Sequence, residues 1–242
     1  MEEFLSSNGV QYEHHDVATD EAAREHLKLR EIKSLPVTII QDLLKGQEEV
    51  IIGYYPKKLV PALKLNVTVD LSVKTEWMSE KYDVMLRAAI RAICQLSDAR
   101  LDQLVPWRAW TVRKTMLHIL SFPEVALNSH SHGSMSTEDM RASDERLSVL
   151  TSVEDLAQYG DGVRENIVKF LASGDTQSYD RVVPAHYGGE VTVLELLNII
   201  LSHSTHHLKQ IYWHMETNMG ITLLDPATEG DLEGIATPST LI

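Results

Sequence analysis

Histidines are concentrated in one short stretch of the C-terminal half, where His203 to His207 reads HSTHH, out of 11 histidines in 242 residues. His203 and His207 are four residues apart, so on a helix they share a face with Cβ atoms about 5–6 Å apart. That spacing lets two imidazoles converge on one metal ion. It also fits a helix face of solvated or hydrogen-bonded histidines, so a metal site requires a further ligand from another helix.

His118 is the best candidate for that further ligand. It lies in the apolar run MLHIL, residues 116–120, on a predicted helix. A lone histidine in a core is more often a structural hydrogen bonder, but a position facing a helical histidine pair favours a ligand role. His118, His203 and His207 are therefore the candidate ligands of a metal site, and the alternative at this point is that they are ordinary histidines of a helical protein.

The other C-terminal histidines are predicted to lie outside this site. His206 is rotated away from the pair on the helix. His214 is nearly three turns beyond His203, at 1.5 Å per residue, which is too far to share an ion. His130 and His132 are predicted to lie in a flexible polar loop, with metal chelation as the less favoured alternative.

The pattern of apolar residues after about Trp77 predicts the helices that could position these histidines. Apolar residues recur at intervals of three and four in four stretches, which begin near Trp77, Thr111, Thr151 or Ser152, and Thr192. Thr151 with Glu154, and Thr192 with Glu195, have capping-box spacing. Four amphipathic helices of this length favour a four-helix bundle. Residues 128–136 and 173–189 are predicted to be loops.

The first 65 residues have a different pattern, in which short strands and helices alternate. Strands are predicted at Val10–Glu13, Leu35–Ile40 and Val50–Gly53, and helices at Asp20–Leu29 and Pro56–Leu65. This alternation indicates a small α/β unit. The predicted fold class is α+β with two domains, residues 1–66 and 67–242.

Three segments of the helical part resemble the DinB-like superfamily, which includes the thiol-dependent maleylpyruvate isomerases. They are Trp110–His118 (WTVRKTMLH), residues 187–197 (YGGEVTVLELL) and His203–Ile211 (HSTHHLKQI). The resemblance implies a DinB-like four-helix bundle with a divalent metal, zinc or nickel, on His118, His203 and His207. It also implies a homodimer.

The N-terminal part resembles a glutaredoxin. Glu2–Tyr12 is similar to the end of its first helix and its second strand, residues 34–38 (SLPVT) to the cis-proline segment, and residues 53–56 (GYYP) to the turn before its last helix. The Cys-x-x-Cys motif is absent, and Cys94 lies in the helical part, so no glutaredoxin redox activity is expected. A truncated thioredoxin-like domain implies a rearranged sheet, pairing with a second subunit, or a mis-assigned start.

The amino-acid composition argues against some classes of binding partner. The formal net charge is −13, from 22 basic and 35 acidic residues, and so acidic a surface repels nucleic acid and anionic membranes. No apolar run approaches the roughly 20 residues that span a bilayer. With Cys94 as its one cysteine, the chain can form no intrachain disulfide, which is typical of a cytoplasmic protein.

Three imidazoles leave a metal with open positions, which is typical of catalytic sites. The sequence therefore favours a metal-dependent transferase or hydrolase that activates a low-molecular-weight thiol or water for a small-molecule substrate. Near the fourth helix, Tyr187, Glu190 and Glu195 are candidate acid/base groups, although capping is the preferred role of Glu195. The alternative function is a non-catalytic metal- or thiol-binding or assembly module.

Overall fold

Two compact units, Met1–Asp70 and Leu71–Thr237, contain all but the last five residues of the chain. The computed structural model describes residues 1–32, 36–42, 46–52, 56–67, 71–186 and 189–238. We call Leu71–Thr237 the helical unit. The predicted assignment of residues 1–66 and 67–242 to two domain families is not tested by this division.

The N-terminal unit combines short helices with a β-hairpin. Its elements are α1 (Glu2–Ser7), α2 (Glu21–Leu29), β1 (Val37–Asp42), β2 (Gln47–Ile52) and α3 (Pro56–Ala62). Strands β1 and β2 are antiparallel, with Val37 opposite Ile52. Asp20 caps α2 by accepting a hydrogen bond from the Ala23 amide, which satisfies one of the free donors of the first turn.

The strand predicted at Val10–Glu13 was wrong, because these residues lie outside any strand. The Val10 amide instead donates to the Leu5 carbonyl at 3.0 Å and closes the end of α1. A strand requires a neighbouring strand for its hydrogen bonds, and the strand pairings among the described residues include none for Val10–Glu13. The glutaredoxin resemblance stays a prediction, and residues 34, 35 and 53–55 of its motifs lie outside the described residues.

Helices dominate the second unit. Its elements are α4 (Thr75–Cys94), α5 (Asp98–Leu101), α6 (Val112–His132), α7 (Thr137–Leu147), α8 (Val153–Ala172), α9 (Thr176–Tyr179), β3 (Val182–Ala185), β4 (Gly189–Thr192) and α10 (Val193–Thr217). The helices predicted near Trp77, Thr111, Ser152 and Thr192 correspond to α4, α6, α8 and α10. Within the described ranges, no helix is both long and apolar enough to traverse a bilayer.

These four long helices pack on one another, with the largest contacts between α4 and α8 and between α6 and α10. Apolar side chains such as Met116, Ile119 and Ile211 are fully buried between them. The buried Tyr82 hydroxyl donates to the Leu197 carbonyl at 2.7 Å and joins α4 to α10. The core thus fixes the relation of α6 to α10, which carry the histidines.

Of the two predicted capping boxes, one agrees with the structure and one does not. Thr192 and Glu195 form the predicted capping box at the start of α10. The box of α8 pairs Ser152 with Asp155, so the prediction of Thr151 with Glu154 was wrong by one residue. Ser152 has the extended backbone that an N-cap requires, and such a shift of one residue preserves the spacing.

Both predicted loops contain regular structure. Helix α6 continues through Asn128 to His132 and ends at Gly133, whose φ of 90° is the left-handed conformation that favours glycine. The predicted loop of His130 and His132 is therefore helical. Residues 173–189 include α9 and the first strand of the hairpin β3–β4, in which Val183 lies opposite Val191. Helix α7 was not predicted, because its sequence is mostly polar.

Candidate metal centre

Helices α6 and α10 supply the predicted ligands. Thr111 caps α6 by accepting from the Lys114 amide, and His118 lies in the second turn after that cap. His203 and His207 lie one turn apart on α10, beyond its capping box. Because α6 packs along α10, the histidine of one helix faces the pair on the other.

The three rings converge. The Nε2 atoms of His118 and His203 are 2.9 Å apart, and the ring centroids of His118 lie 5.0 Å from those of both His203 and His207. One nitrogen from each residue lies within 4.8 Å of the other two. We call His118, His203 and His207 the three-histidine group.

This donor set fits a divalent transition metal. Imidazole suits zinc and nickel, and a tetrahedral ion bound at about 2.0–2.1 Å holds two nitrogens about 3.3 Å apart. The 2.9 Å between His118 and His203 is shorter than that by about 0.4 Å, a difference that a small rotation of either ring removes. Three protein ligands leave a further position for a small molecule.

Burial keeps the group neutral. It lowers the pKa of His118 and His203 well below the ordinary 6.5, and the neighbouring histidines lower it further. Burial also lowers the pKa of His207, to about 4, although its bond to Gln210 acts in the opposite direction. A neutral imidazole has the lone pair that a metal requires, so the group is ready to bind a cation at neutral pH.

Gln210 orients one of the rings. The Nδ1–H of His207 donates to the Oε1 atom of Gln210 at 2.7 Å, and both side chains are buried, with 4% and 6% of their surface exposed. The bond places the hydrogen on Nδ1 and leaves the lone pair on Nε2. Sequence reasoning did not assign this role, although the three-residue spacing from His207 was the available signal.

Aromatic side chains enclose the group. The ring of Trp110 meets His118 edge-on at 5.0 Å, and that of Phe122 stacks on His203 at 5.0 Å. His118 is 8% exposed, whereas His203 is only half-buried. A hydrophobic wall of this kind limits access of water and lowers the local dielectric constant. The more exposed edge of the group is at His203.

His206, His214 and His130 lie outside the three-histidine group. His206 is half-buried beside His207, and His214 packs against Trp107. His130 packs on Phe170 at the end of α6. Two surface cavities of about 600 and 390 Å³ are lined in part by His130, but neither includes a member of the three-histidine group.

The three residues predicted as candidate acid/base groups have different positions in the structure. Glu195 has the capping role preferred for it, since its carboxylate accepts from the Thr192 amide at 2.8 Å. Glu190 is exposed on β4, and no hydrogen bond or ion pair of the described residues joins it to the three-histidine group. Tyr187 lies outside the residues that the structure describes.

These observations define a helical protein with three neutral imidazoles converging inside it. The family model of the DinB superfamily matches residues 82–211, which is more than half of the chain and includes the whole three-histidine group. The chain therefore belongs to the DinB superfamily, and the predicted resemblance of its helical part is confirmed. Neither the curated proteins nor the solved structures compared with the chain give a match.

Proposed function

We propose that the chain is a metal-dependent enzyme that holds zinc or nickel on His118, His203 and His207 and activates a low-molecular-weight thiol or water. The convergence of one nitrogen from each histidine within 4.8 Å carries this proposal. Membership of a typically metal-binding superfamily supports it. A bound divalent ion would acidify a thiol or water in its open position.

The chain's own residues prepare this site. Burial keeps the imidazoles unprotonated, Gln210 fixes the tautomer of His207, and Trp110 and Phe122 exclude water from one side. The reacting thiol is therefore a separate small molecule and not Cys94, the cysteine of the helical unit. Cys94 is exposed on α4, and partial burial and the charge of Asp161 raise its pKa, so little thiolate forms.

A non-catalytic metal- or thiol-binding module is the second candidate function. One observation favours it: among the described residues, the carboxylate of Glu195 is used by the helix cap, and no hydrogen bond or ion pair joins Glu190 to the three-histidine group. Group transfer and hydrolysis usually require an acid or base near the reacting atoms. The two functions differ in turnover, while both require the metal.

The test compares untagged full-length protein with His118→Ala and His206→Ala. We expect about one zinc or nickel ion per chain in the wild type and in His206→Ala, and little metal in His118→Ala. His206 is the matched control because it lies on the same helix turn but outside the group. Metal at 100 times its Kd should stabilise wild-type protein by about 2.7 kcal/mol, and not His118→Ala.

Turnover then separates the two functions. Metal-loaded protein is incubated with a low-molecular-weight thiol and electrophilic acceptors, or with ester substrates, and product is measured by mass spectrometry. Product that disappears in His118→Ala supports the enzyme. Stable metal binding with no product from any acceptor supports the binding module. Full metal occupancy in His118→Ala would exclude His118 as a ligand and contradict the proposed site.

A further inference from the structure

Two cations lie beside the three-histidine group in an otherwise acidic protein. The guanidinium carbon of Arg108 lies 4.4 Å from the ring centroid of Trp110, and the ammonium of Lys114 lies 5.0 Å from it. Trp110 in turn packs edge-on against His118. The chain has a net charge of −13, so two neighbouring cations beside the group contrast with the negative charge of the protein as a whole.

Arg108 lies close to the group through two successive ring contacts. Its guanidinium stacks on Trp110, and Trp110 packs edge-on against His118, so the positive charge lies beside the proposed metal ligands. A cation in this position opposes the binding of a metal cation. A residue that only supported the metal site would not carry this charge, so the positive charge suits a ligand that binds beside the metal.

Arg108 is also uncommitted. Its neighbours Arg113 and Lys114 pair with Asp102 and Asp144, whereas no ion pair within the described part of the chain includes Arg108. Its side chain is exposed and stacks on the ring of Trp110. A guanidinium fixed on an aromatic face presents its fork of donors to a planar acceptor such as a carboxylate.

Backbone hydrogen bonds hold the loop that carries Arg108. The Val105 amide donates to the Trp110 carbonyl at 2.9 Å, and the Trp110 amide donates to the Arg108 carbonyl at 2.8 Å. These bonds fix the backbone of Arg108 relative to that of Trp110, on whose ring the guanidinium stacks.

We propose that Arg108, stacked on Trp110, is the recognition residue of the site and binds the carboxylate of a small anionic substrate or thiol. This rests on the proposed function, because the carboxylate would anchor the molecule that reaches the metal at the exposed edge of His203. The substrate class is therefore carboxylate-bearing small molecules.

The test measures two affinities that should move in opposite directions. Full-length protein, loaded with zinc or nickel, is titrated calorimetrically with succinate and with its uncharged diamide. Arg108→Gln should bind succinate about tenfold more weakly, since a charge-assisted bond is lost. The same variant should bind the metal as tightly as wild type or more tightly, because a repelling charge is removed.

The matched control is Arg141→Gln, which removes the same charge from an exposed position on α7. Weaker succinate binding in Arg108→Gln alone, with metal binding retained, supports the proposal. Equal binding of succinate and the diamide, no succinate binding by wild type, or equal effects of the two substitutions would overturn it. A chain that takes up no metal refutes the proposed function instead, and succinate binding by the metal-free chain then tests Arg108 separately.

Discussion

Replacing Gln210 by leucine should weaken metal binding by about 10- to 100-fold, the range found when the hydrogen-bond partner of a metal-binding histidine is removed. This corresponds to about 1.4–2.7 kcal/mol. We expect the upper part of the range, because the bond from His207 Nδ1 is 2.7 Å long and its two residues are 4% and 6% exposed. Water therefore has little room to replace the lost acceptor.

Protein stability must be separated from metal affinity in this experiment. In the metal-free variant, the buried Nδ1–H of His207 loses its acceptor, which costs about 1–3 kcal/mol of unfolding free energy. Affinity is therefore measured directly, by competition with a chromophoric chelator well below the melting temperature. Circular dichroism at that temperature shows whether the variant keeps its helices.

Gln210→Glu is the matched control, since it keeps an oxygen acceptor at the same position. A carboxylate that accepts from Nδ1 makes the imidazole a stronger ligand, so metal affinity should be equal to wild type or higher. Equal losses in the leucine and glutamate variants would show that packing alone is responsible. Unchanged affinity in Gln210→Leu would show that this bond does not orient His207 for a metal.

Other substitutions and a labelling experiment test packing, hydrogen bonding and cysteine reactivity in the helical unit. Gly160→Ala should lower the unfolding free energy by about 1–3 kcal/mol by overpacking, because its Cβ would lie 2.9 Å from the side chain of Ile90; denaturant titration measures this. Lys81→Met removes the donor to the Asp231 carbonyl at 2.8 Å, so hydrogen exchange near Asp231 should increase. Cys94 should react with iodoacetamide more slowly at pH 8 than in unfolded protein, since its raised pKa leaves less thiolate at that pH.

The convergence of the three histidines could be predicted in part from the sequence, because the position of two of them follows from helix geometry. The four-residue spacing of His203 and His207 places both rings on one face of any helix, whatever packs against it. His118 required a long-range assumption, namely that α6 lies against α10. The apolar run around His118 suggested burial, but only the structure shows that its Nε2 atom points at His203.

Gln210 and Arg108 could not be assigned from the sequence for a physical reason. A glutamine three residues after a histidine can turn to it, to the backbone or to solvent, and tertiary packing decides among these. Arg108 lies in a loop whose path depends on backbone bonds such as Val105 to Trp110. Both roles arise from contacts that no periodic pattern encodes.

The errors in predicting strands from the sequence have related causes. The Val10–Glu13 segment alternates as a strand does, yet a strand forms only with a partner, and none lies beside it in the described residues. The hairpin β3–β4 was missed because each strand has four residues and Pro184 interrupts the first, so neither has enough length to show a period. Strand formation depends on distant neighbours, whereas the long helices carry their pattern locally.

A final prediction follows from the position of the site within one unit. All residues of the three-histidine group, with Gln210 and Trp110, belong to Leu71–Thr237. A fragment of residues 71–242 should therefore bind zinc or nickel within about threefold of the full chain, a difference of under 1 kcal/mol. Metal titration of both proteins measures this, with His118→Ala in the fragment as the negative control.

The fragment also assigns a role to the N-terminal unit. If that unit contributes to thiol binding, as its predicted glutaredoxin resemblance implies, the fragment should retain the metal and lose turnover with the thiol. Equal turnover by fragment and full chain would show that thiol and substrate are recognised within the helical unit, where Arg108 lies. A fragment that is helical by circular dichroism but binds no metal would contradict the location of the site, because every proposed ligand would still be present.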